Sequence, residues 1–366
     1  MKQKKFTECS KAIAEAVAQS KPEVIFGYPV TPQTHIIEHL SKLVAEGKLN
    51  SQYYNSESEH SALSALIGAS ACNSRTYTAT SSQGLALMSE MLPIASGLRL
   101  PIVMTIATRA LSAPINIWND HSDSMMYRDS GWIQFHCENV QEAYDSLFQA
   151  YKIAESCLIP VMHCIDGFNL SHLWESFYPI EQEKIEKFLG KINLPFTLNP
   201  KKPITLGSVA SPEYYMYFKK QQEKAFKIAE KKIKQINLEF KKIAERKYGN
   251  GLIEIVNPHA DIILVAMGSI CSTIRQVISK NKNIGLLKIR SFRPFPYSDI
   301  KRILEKKKIK VIERAISLGA GYPLTSEIKS LNLKCQSFIL GLGGRNISEK
   351  MIERVINSNK SVEWIY

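Results

Sequence analysis

The sequence lacks any closely spaced pair of cysteines. Seven cysteines occur in 366 residues, an odd number, and no CxxC spacing is present. This excludes a ferredoxin-type iron–sulfur site or a zinc ribbon built from clustered thiolates of this chain, and it argues against a disulfide framework. We therefore expect a protein of a reducing compartment, the cytoplasm. The cysteines are Cys9, Cys72, Cys137, Cys157, Cys164, Cys271 and Cys335.

Long apolar stretches are also missing. The start of the chain is basic but has no continuous apolar segment, and no later run approaches the roughly 20 residues that a membrane-spanning helix needs. We expect neither a targeting segment nor an association with membranes. A composition of 45% apolar and 22% charged residues is ordinary for a globular protein, and the length allows two hydrophobic cores.

Two common phosphate-binding patterns are incomplete. The run from Gly341 to Gly344 follows a predicted strand, as phosphate loops do, but it completes neither GxGxxG nor GxxxxGK[ST]. We interpret it as a plain turn.

Positive charge is in excess and concentrated. The net charge is +13, and the segment from Lys219 to Lys247 holds eleven Lys or Arg against four Glu. A proline after a capping serine predicts a helix from Pro212 towards Tyr248, with one apolar stripe and the lysines elsewhere. The lysines are explained most simply as a solvated face, and docking of an acidic partner is the second interpretation. A nucleic-acid-binding protein is the least favoured alternative, because no aromatic or arginine-rich readout surface accompanies the charge. The stripe consists of Ala229, Ile233, Ile236, Phe240 and Ile243.

Short apolar strands alternate with helices along most of the chain. Repeated strand–helix–strand units predict an α/β fold with a parallel sheet and helices on both faces. Residues 169–203 show no clear sheet unit, and a second alternating series begins after residue 250. We predict two domains, residues 1–249 with the Lys-rich helix at the end, and residues 250–366. Predicted strands of the first domain are 23–27, 52–55, 75–80, 101–108, 131–136 and 159–165, and its helices include 33–47, 85–96 and 140–155.

Polar turns follow the first four predicted strands. In a parallel sheet, the carboxyl ends of the strands lie at one edge, where such folds carry their sites. We therefore expect Thr31, Glu59, Arg109 and the turn 81–84 to converge.

Glu59 begins a helix of small residues, and it has two interpretations. The first is a first-turn acid that complements the helix dipole beside Glu57, with Ser56 or Ser58 as the cap. The second is a functional carboxylate in a tight apolar crevice, since Leu63 and the small residues around it predict close packing. The stretch alone favours the first.

Arg109 ends the most apolar strand, where an unpaired cation is costly. A carboxylate ligand would satisfy it by a two-pronged contact. An internal pair with Asp120, Asp123 or Asp129 is equally compatible with the sequence.

Several motifs, in order along nearly the whole chain, resemble the alpha subunit of pyruvate:ferredoxin oxidoreductase, a 2-oxoacid:ferredoxin oxidoreductase. The resemblance implies a thiamine diphosphate pyrimidine-binding domain followed by a smaller transketolase C-terminal-like α/β domain. It implies oxidative decarboxylation of pyruvate to acetyl-CoA and CO2, with electrons passed to ferredoxin, and the reverse synthesis of pyruvate. The motifs are GYPVTPQT, ESEHSALSALIGASA, TYTATSSQGLALMSEMLPIASGLRLPIVM, TRALSAPINIWNDHSDSMMYRDSGWIQF, KIRSFRPFP and GLGGRNIS.

The resemblance also implies roles for single residues. Glu59 matches the glutamate that contacts N1′ of the pyrimidine, and Thr31 and Arg109 match contacts to the substrate carboxylate. Ser82, Gln83 and Gly84 are expected at the cofactor.

A diphosphate site of this class needs a GDG motif followed by Asn to hold magnesium. The only Asp-Gly is Asp166-Gly167, preceded by isoleucine, and we assign no metal to this chain; the cluster from Asp120 to Asp123 is also not expected to bind one. Magnesium and 4Fe-4S clusters are therefore expected on beta, gamma and delta type partner subunits, which would share the thiamine diphosphate and complete an otherwise inactive chain. An enzyme for a branched-chain or aromatic 2-oxoacid is the alternative within the same class.

Overall fold

The structure is a computed structural model and describes residues 4–366. Its regular elements alternate between strands and helices from end to end. The strands are β1 (Lys5–Glu8), β2 (Val24–Gly27), β3 (Gln52–Asn55), β4 (Thr76–Thr80), β5 (Val103–Thr108), β6 (Ile133–His136), β7 (Val161–Asp166), β8 (Trp174–Phe177), β9 (Ile253–Val256), β10 (Ile262–Ala266), β11 (Ile284–Ile289), β12 (Ser291–Arg293), β13 (Lys308–Glu313), β14 (Cys335–Ile339) and β15 (Val362–Trp364). The helices are α1 (Cys9–Ser20), α2 (Thr34–Ala45), α3 (Glu59–Ala71), α4 (Gln83–Leu87), α5 (Met91–Gly97), α6 (Ser122–Met126), α7 (Val140–Cys157), α8 (Gln182–Leu189), α9 (Pro212–Ala244), α10 (Ile270–Ile278), α11 (Tyr297–Leu304), α12 (Pro323–Lys329) and α13 (Glu349–Asn357), with a 3-10 turn at Leu342–Gly344.

A seven-stranded sheet organises the first part of the chain, in the order β12-β6-β7-β5-β4-β2-β3. The six strands from this part are parallel to one another, whereas β12 is antiparallel to β6. Successive residues of β5 pack on opposite faces: Val103 and Ala107 join the core under α1, α2 and α7, whereas Met104 and Ile106 join the core under α3 and α5. The sheet is therefore covered by helices on both sides, as predicted.

A six-stranded sheet organises the second part, in the order β15-β14-β13-β10-β11-β9. All its pairs are parallel except β9 with β11. The mixed α/β class with mostly parallel sheets is thus confirmed.

Three local predictions were wrong or incomplete. The predicted helix 85–96 is two short helices, α4 and α5. The stretch 169–203, in which no sheet unit was expected, contains β8, which pairs antiparallel with β1, and α8. The strand β12 leaves the second series and pairs with β6 at the edge of the first sheet. The strands β8 and β12 pair with strands that are distant in the sequence, and a local sequence pattern carries no information about such pairing.

The two parts are joined by a buried network of charges. The Lys288 Nζ lies 2.9 Å from Glu138 and 2.5 Å from Glu142, and the Arg290 Nε lies 3.1 Å from Glu142. Arg275 contacts Glu138 at 2.7 Å. These ion pairs outweigh the cost of burial, so they lower the pKa of Glu138 and raise that of Lys288.

Helix α9 lies along α7 and α8. Its buried residues include Ala229, Ile233, Ile236 and Phe240, with Ile243 partly buried beside them, which confirms the predicted stripe. No helix within residues 4–366 is long and apolar enough to cross a bilayer. All seven cysteines are free.

Candidate active site

Glu59 lies at the start of α3, directly after β3. Ser58 is the N-cap residue, and its hydroxyl accepts a hydrogen bond from the backbone N–H of Ser61 at 3.2 Å. The exposed Glu57 accepts a hydrogen bond from the Ser61 hydroxyl. The capping of this helix end is therefore supplied by Ser58, and Glu59 is not needed for it.

The Glu59 side chain is buried without a partner. The residue is 6% exposed, and no other residue in the described part of the chain donates a hydrogen bond or forms an ion pair with its carboxylate. Burial raises the pKa of Glu59, although its own backbone N–H opposes this. A buried carboxyl that no other residue pairs with, and whose pKa is raised by burial, is a common mark of a functional site.

Gly84 packs against this carboxylate. A Cβ atom at Gly84 would lie 2.4 Å from Glu59 Oε1 and 2.4 Å from Thr80 Oγ1. The Thr80 hydroxyl is itself buried and has no hydrogen-bond partner among residues 4–366. The Glu59 carboxylate from α3, the unsatisfied Thr80 hydroxyl at the end of β4 and the bare backbone of Gly84 thus meet at one place.

Arg109 and Thr31 are brought together by the carboxyl ends of β5 and β2. The Arg109 guanidinium donates to the Thr31 carbonyl at 2.9 Å through one terminal nitrogen and to the Asn116 carbonyl at 2.9 Å through Nε. No carboxylate lies within 4.0 Å of this guanidinium in the described residues. Burial lowers the pKa of Arg109, and the nearby Asp123 acts against it. An internal ion pair of Arg109 is therefore not formed, and the second terminal nitrogen is left available.

Asp123 ties two of the turns together. One of its carboxylate oxygens accepts the backbone N–H of Ser82 at 2.9 Å and that of Arg109 at 3.0 Å, and the other accepts that of Ser124 at 2.7 Å. Burial raises the pKa of Asp123 to about 7, while these three donors lower it. Sequence reasoning considered Asp123 only as a partner for the Arg109 side chain. It missed the backbone contacts because they depend on how the loop after β5 folds back.

Ser82 and Gln83 differ in burial and in their contacts. The Ser82 hydroxyl donates to the Ala110 carbonyl at 2.6 Å, and its backbone has φ 48°, a left-handed value that a serine adopts only under restraint. Ser82 therefore shapes the turn, whereas Gln83 is exposed. Only Gly84 of this predicted trio contacts Glu59.

The loop from Asp120 to Asp123 was not expected to bind a metal, and the structure shows which groups its side chains contact. The side chains face different partners: Asp120 accepts the backbone N–H groups of Ser122 and Gly343, and His121 Nε2 lies 2.9 Å from Asp166. Asp166, of the single Asp-Gly pair, is also bound by Arg314, which lowers the pKa of this carboxyl, so it is engaged within the protein. The Gly341 to Gly344 run packs on the loop after β5, since a Cβ at Gly344 would meet Trp118 Cβ at 2.2 Å.

A buried acid facing unsatisfied groups at the carboxyl edge of a parallel sheet defines a cofactor-binding α/β enzyme subunit. Comparisons with known proteins agree. The family described as "Pyruvate flavodoxin/ferredoxin oxidoreductase, thiamine diP-bdg" matches residues 15–238, and "Pyruvate:ferredoxin oxidoreductase core domain II" matches residues 260–352. The chain belongs to the pyruvate:ferredoxin oxidoreductase family.

Curated relatives cover the chain almost completely. It is 50% identical over 366 residues to pyruvate synthase subunit PorA of Methanocaldococcus jannaschii, covering 96% of this chain and 94% of that protein. It is 38% identical over 371 residues to ketoisovalerate oxidoreductase subunit VorA of Pyrococcus horikoshii, covering 98% and 94%.

A solved structure supports the fold. The 2-oxoglutarate:ferredoxin oxidoreductase from Magnetococcus marinus, with 2-oxoglutarate, coenzyme A and succinyl-CoA bound, matches with a TM-score of 0.77 at 17% identity. The match covers 97% of this chain and 65% of that chain. This chain therefore spans slightly less than two thirds of that protein.

Proposed function

We propose that this chain is the alpha subunit of a pyruvate:ferredoxin oxidoreductase, also called pyruvate synthase. The reaction joins pyruvate and coenzyme A, releases CO2, forms acetyl-CoA and passes two electrons to ferredoxin, and it is reversible. The observation that carries the proposal is the buried, unpaired Glu59 carboxyl packed on Gly84. The identity to pyruvate synthase subunits along the whole chain supports the choice of reaction.

The residues around Glu59 fit the pyrimidine ring of thiamine diphosphate. A flat ring needs a thin wall, which Gly84 provides, and a polar ring edge would satisfy both Glu59 and the unpartnered Thr80 hydroxyl. When bound, thiamine diphosphate supplies a nucleophilic carbon and an electron sink for decarboxylation. In this proposal, Glu59 holds a proton at the ring edge, and its raised pKa suits that task.

Arg109 and Thr31 would position the carboxylate of pyruvate. The guanidinium is anchored by two carbonyls, from Thr31 and Asn116, and keeps one terminal nitrogen for a ligand. Charge-assisted contacts to a carboxylate are strong and directional. Thr31 is exposed, so its hydroxyl is accessible to the same ligand. Asp123 acts as a positioning residue, because it holds the backbone of both Ser82 and Arg109.

Partner subunits would complete the enzyme. We propose that beta, gamma and delta type subunits contribute the magnesium–diphosphate site, the 4Fe-4S clusters and the contact to ferredoxin, since neither a GDG motif nor clustered cysteines occur in this sequence. We also propose that the chain consists of two domains, residues 1–249 and residues 250–366. The seven free cysteines support a cytoplasmic location.

The decisive experiment replaces Glu59 in the assembled complex. Glu59→Gln keeps the shape but removes the acid, so we expect the rate of pyruvate decarboxylation to fall by about 10²- to 10⁴-fold. Glu57→Gln is the matched control, because Glu57 is exposed and accepts a hydrogen bond only from the Ser61 hydroxyl. An undiminished rate for Glu59→Gln, in a complex of normal subunit content, would contradict the assigned role.

A branched-chain 2-oxoacid is the second candidate substrate, and the identity to the ketoisovalerate subunit favours it over aromatic ones. Comparing kcat/KM of the purified complex for pyruvate and 2-ketoisovalerate decides between them. A preference for the branched substrate would replace pyruvate but keep the roles of Glu59 and Arg109.

A further inference from the structure

Three potential metal ligands that the candidate active site does not use converge near the start of the chain. They are Glu8, His35 and His172. Each offers one ligand atom, and these atoms all lie within 4.8 Å of one another. No other group of three or more His, Cys, Asp or Glu in residues 4–366 meets this condition. Two imidazoles and one carboxylate are a ligand set that zinc accepts in proteins.

The backbone already holds two of these residues side by side. Glu8 ends β1 and precedes α1, whose first backbone N–H groups are donated to the segment that carries His172: Cys9 to the Leu173 carbonyl at 2.9 Å, and Ser10 to the Ser171 carbonyl at 3.0 Å. His35 is the second residue of α2, which packs tightly on α1. The three ligands therefore stand on fixed elements, which a metal site requires.

The side chains are oriented for coordination. His35 Nδ1 lies 2.6 Å from Glu8 Oε1, and the two histidine rings have centroids 4.6 Å apart. His172 Nδ1 lies 2.8 Å from the Ser171 hydroxyl, which leaves Nε2 free to bind an ion and fixes the ring in the manner usual for metal-bound histidines.

We propose that Glu8, His35 and His172 bind one Zn²⁺ ion. The 2.6 Å contact between Glu8 and His35 is the length of a hydrogen bond, so the ion would take the place of the shared proton. Tetrahedral coordination would widen that contact to about 3.3 Å, which the half-exposed His35 side chain allows. Water would take the fourth position on the exposed side.

The ion would link three segments that otherwise meet only through hydrogen bonds and packing: the start of α1, the start of α2 and the loop after β7. The ring of His172 lies 4.6 Å from that of Phe168, which in turn lies 6.0 Å from Trp118 in the loop after β5. The zinc ion would therefore fix the position of His172, which contacts Phe168. Phe168 in turn contacts Trp118 in the loop that begins with Arg109. The proposal does not depend on the reaction that the enzyme catalyses.

The test measures zinc in the assembled complex after removal of loosely bound metal and equilibrium dialysis against Zn²⁺ alone. We expect one more zinc ion per chain in the wild type than in Glu8→Gln or His172→Asn, with an affinity difference of roughly tenfold or more. His39→Asn is the matched control, since His39 lies on the same helix outside the cluster, and it should bind zinc like the wild type. Equal zinc contents in all four complexes would overturn the proposal.

A second measurement needs no variant. X-ray absorption at the zinc edge should show nitrogen and oxygen neighbours at about 2.0–2.2 Å. Sulfur neighbours at about 2.3 Å would place the ion on cysteines and would also overturn the proposal.

Discussion

Two buried acidic regions of this molecule differ in whether their carboxylates are paired with cations. Around Lys288, the carboxylates of Glu138 and Glu142 are matched by cations at 2.5–2.9 Å, and their burial is offset by ion pairs. Around Glu59, a carboxylate of similar burial has no such partner and a raised pKa. The first region is organised for stability between the two parts of the chain, and the second is left incomplete for a ligand.

Removing one member of the paired network should give the largest effect on stability. Lys288→Met removes the cation that Glu138 and Glu142 share and leaves each with one arginine, Arg275 and Arg290 respectively, so we expect the free energy of unfolding to fall by about 3 kcal/mol. The measurement is chemical denaturation of the purified complex. Lys308→Met, at an exposed position of β13, should change stability by no more than about 0.5 kcal/mol. Equal, small effects of both variants on the free energy of unfolding would contradict the stabilising role of the buried charge network.

Arg109→Ala should act on the substrate more than on the fold. Losing a charge-assisted contact to the pyruvate carboxylate should lower kcat/KM by about tenfold to a hundredfold, mainly through KM. Arg99→Ala is the control, because Arg99 also donates to two backbone carbonyls, those of Cys157 and Leu158. Loss of assembly by Arg109→Ala with unchanged kinetics would assign Arg109 a structural role instead.

Gly84→Ala should disturb the unpaired region directly. The added methyl would overlap both Glu59 Oε1 and Thr80 Oγ1, so we expect a destabilisation of about 1–3 kcal/mol and weaker binding of thiamine diphosphate. Gly68→Ala in α3 meets nothing within 4 Å and should instead stabilise by about 0.5–1 kcal/mol. Calorimetric titration measures the binding of thiamine diphosphate, and thermal unfolding measures the stability. Opposite changes in the stability of the two variants would support a special constraint at Gly84.

The smallest effect should appear in the pH dependence of stability. The folded state holds the Glu59 proton to higher pH than the unfolded chain does, so wild-type stability should fall as the pH rises from the ordinary glutamate pKa to the raised one. Glu59→Gln should remove this decline. Glu138, with a lowered pKa, has the opposite sign: its contribution is present above the ordinary pKa and is lost as the pH falls through the lowered one. Thermal unfolding of the cofactor-free complex between pH 4 and 8 measures this, and an unchanged pH profile for Glu59→Gln would contradict the prediction.

Local patterns were sufficient for most elements of the fold. The alternation of apolar strands and amphipathic helices places β2 to β7 within a few residues, because strands buried on both faces of a parallel sheet are short continuous apolar runs that can be recognised locally. The stripe of α9 was predicted from the three- and four-residue spacing of its apolar residues, which is also a local pattern. The strands β1, β8 and β12 were missed, since their pairing partners are distant in sequence and their own patterns are short.

The residue types and the order of the turns determined that Thr31, Glu59, Gly84 and Arg109 lie at one edge of a parallel sheet. Only the tertiary structure decided that no other residue pairs with Glu59, that the Ser82 hydroxyl is bound by the Ala110 carbonyl, and that Asp123 holds the backbone N–H groups of Ser82 and Arg109. The same holds for the meeting of Glu8, His35 and His172. The reason is physical: the strand order sets which edge a residue reaches, but the pairing of a buried charge depends on which loops fold over it.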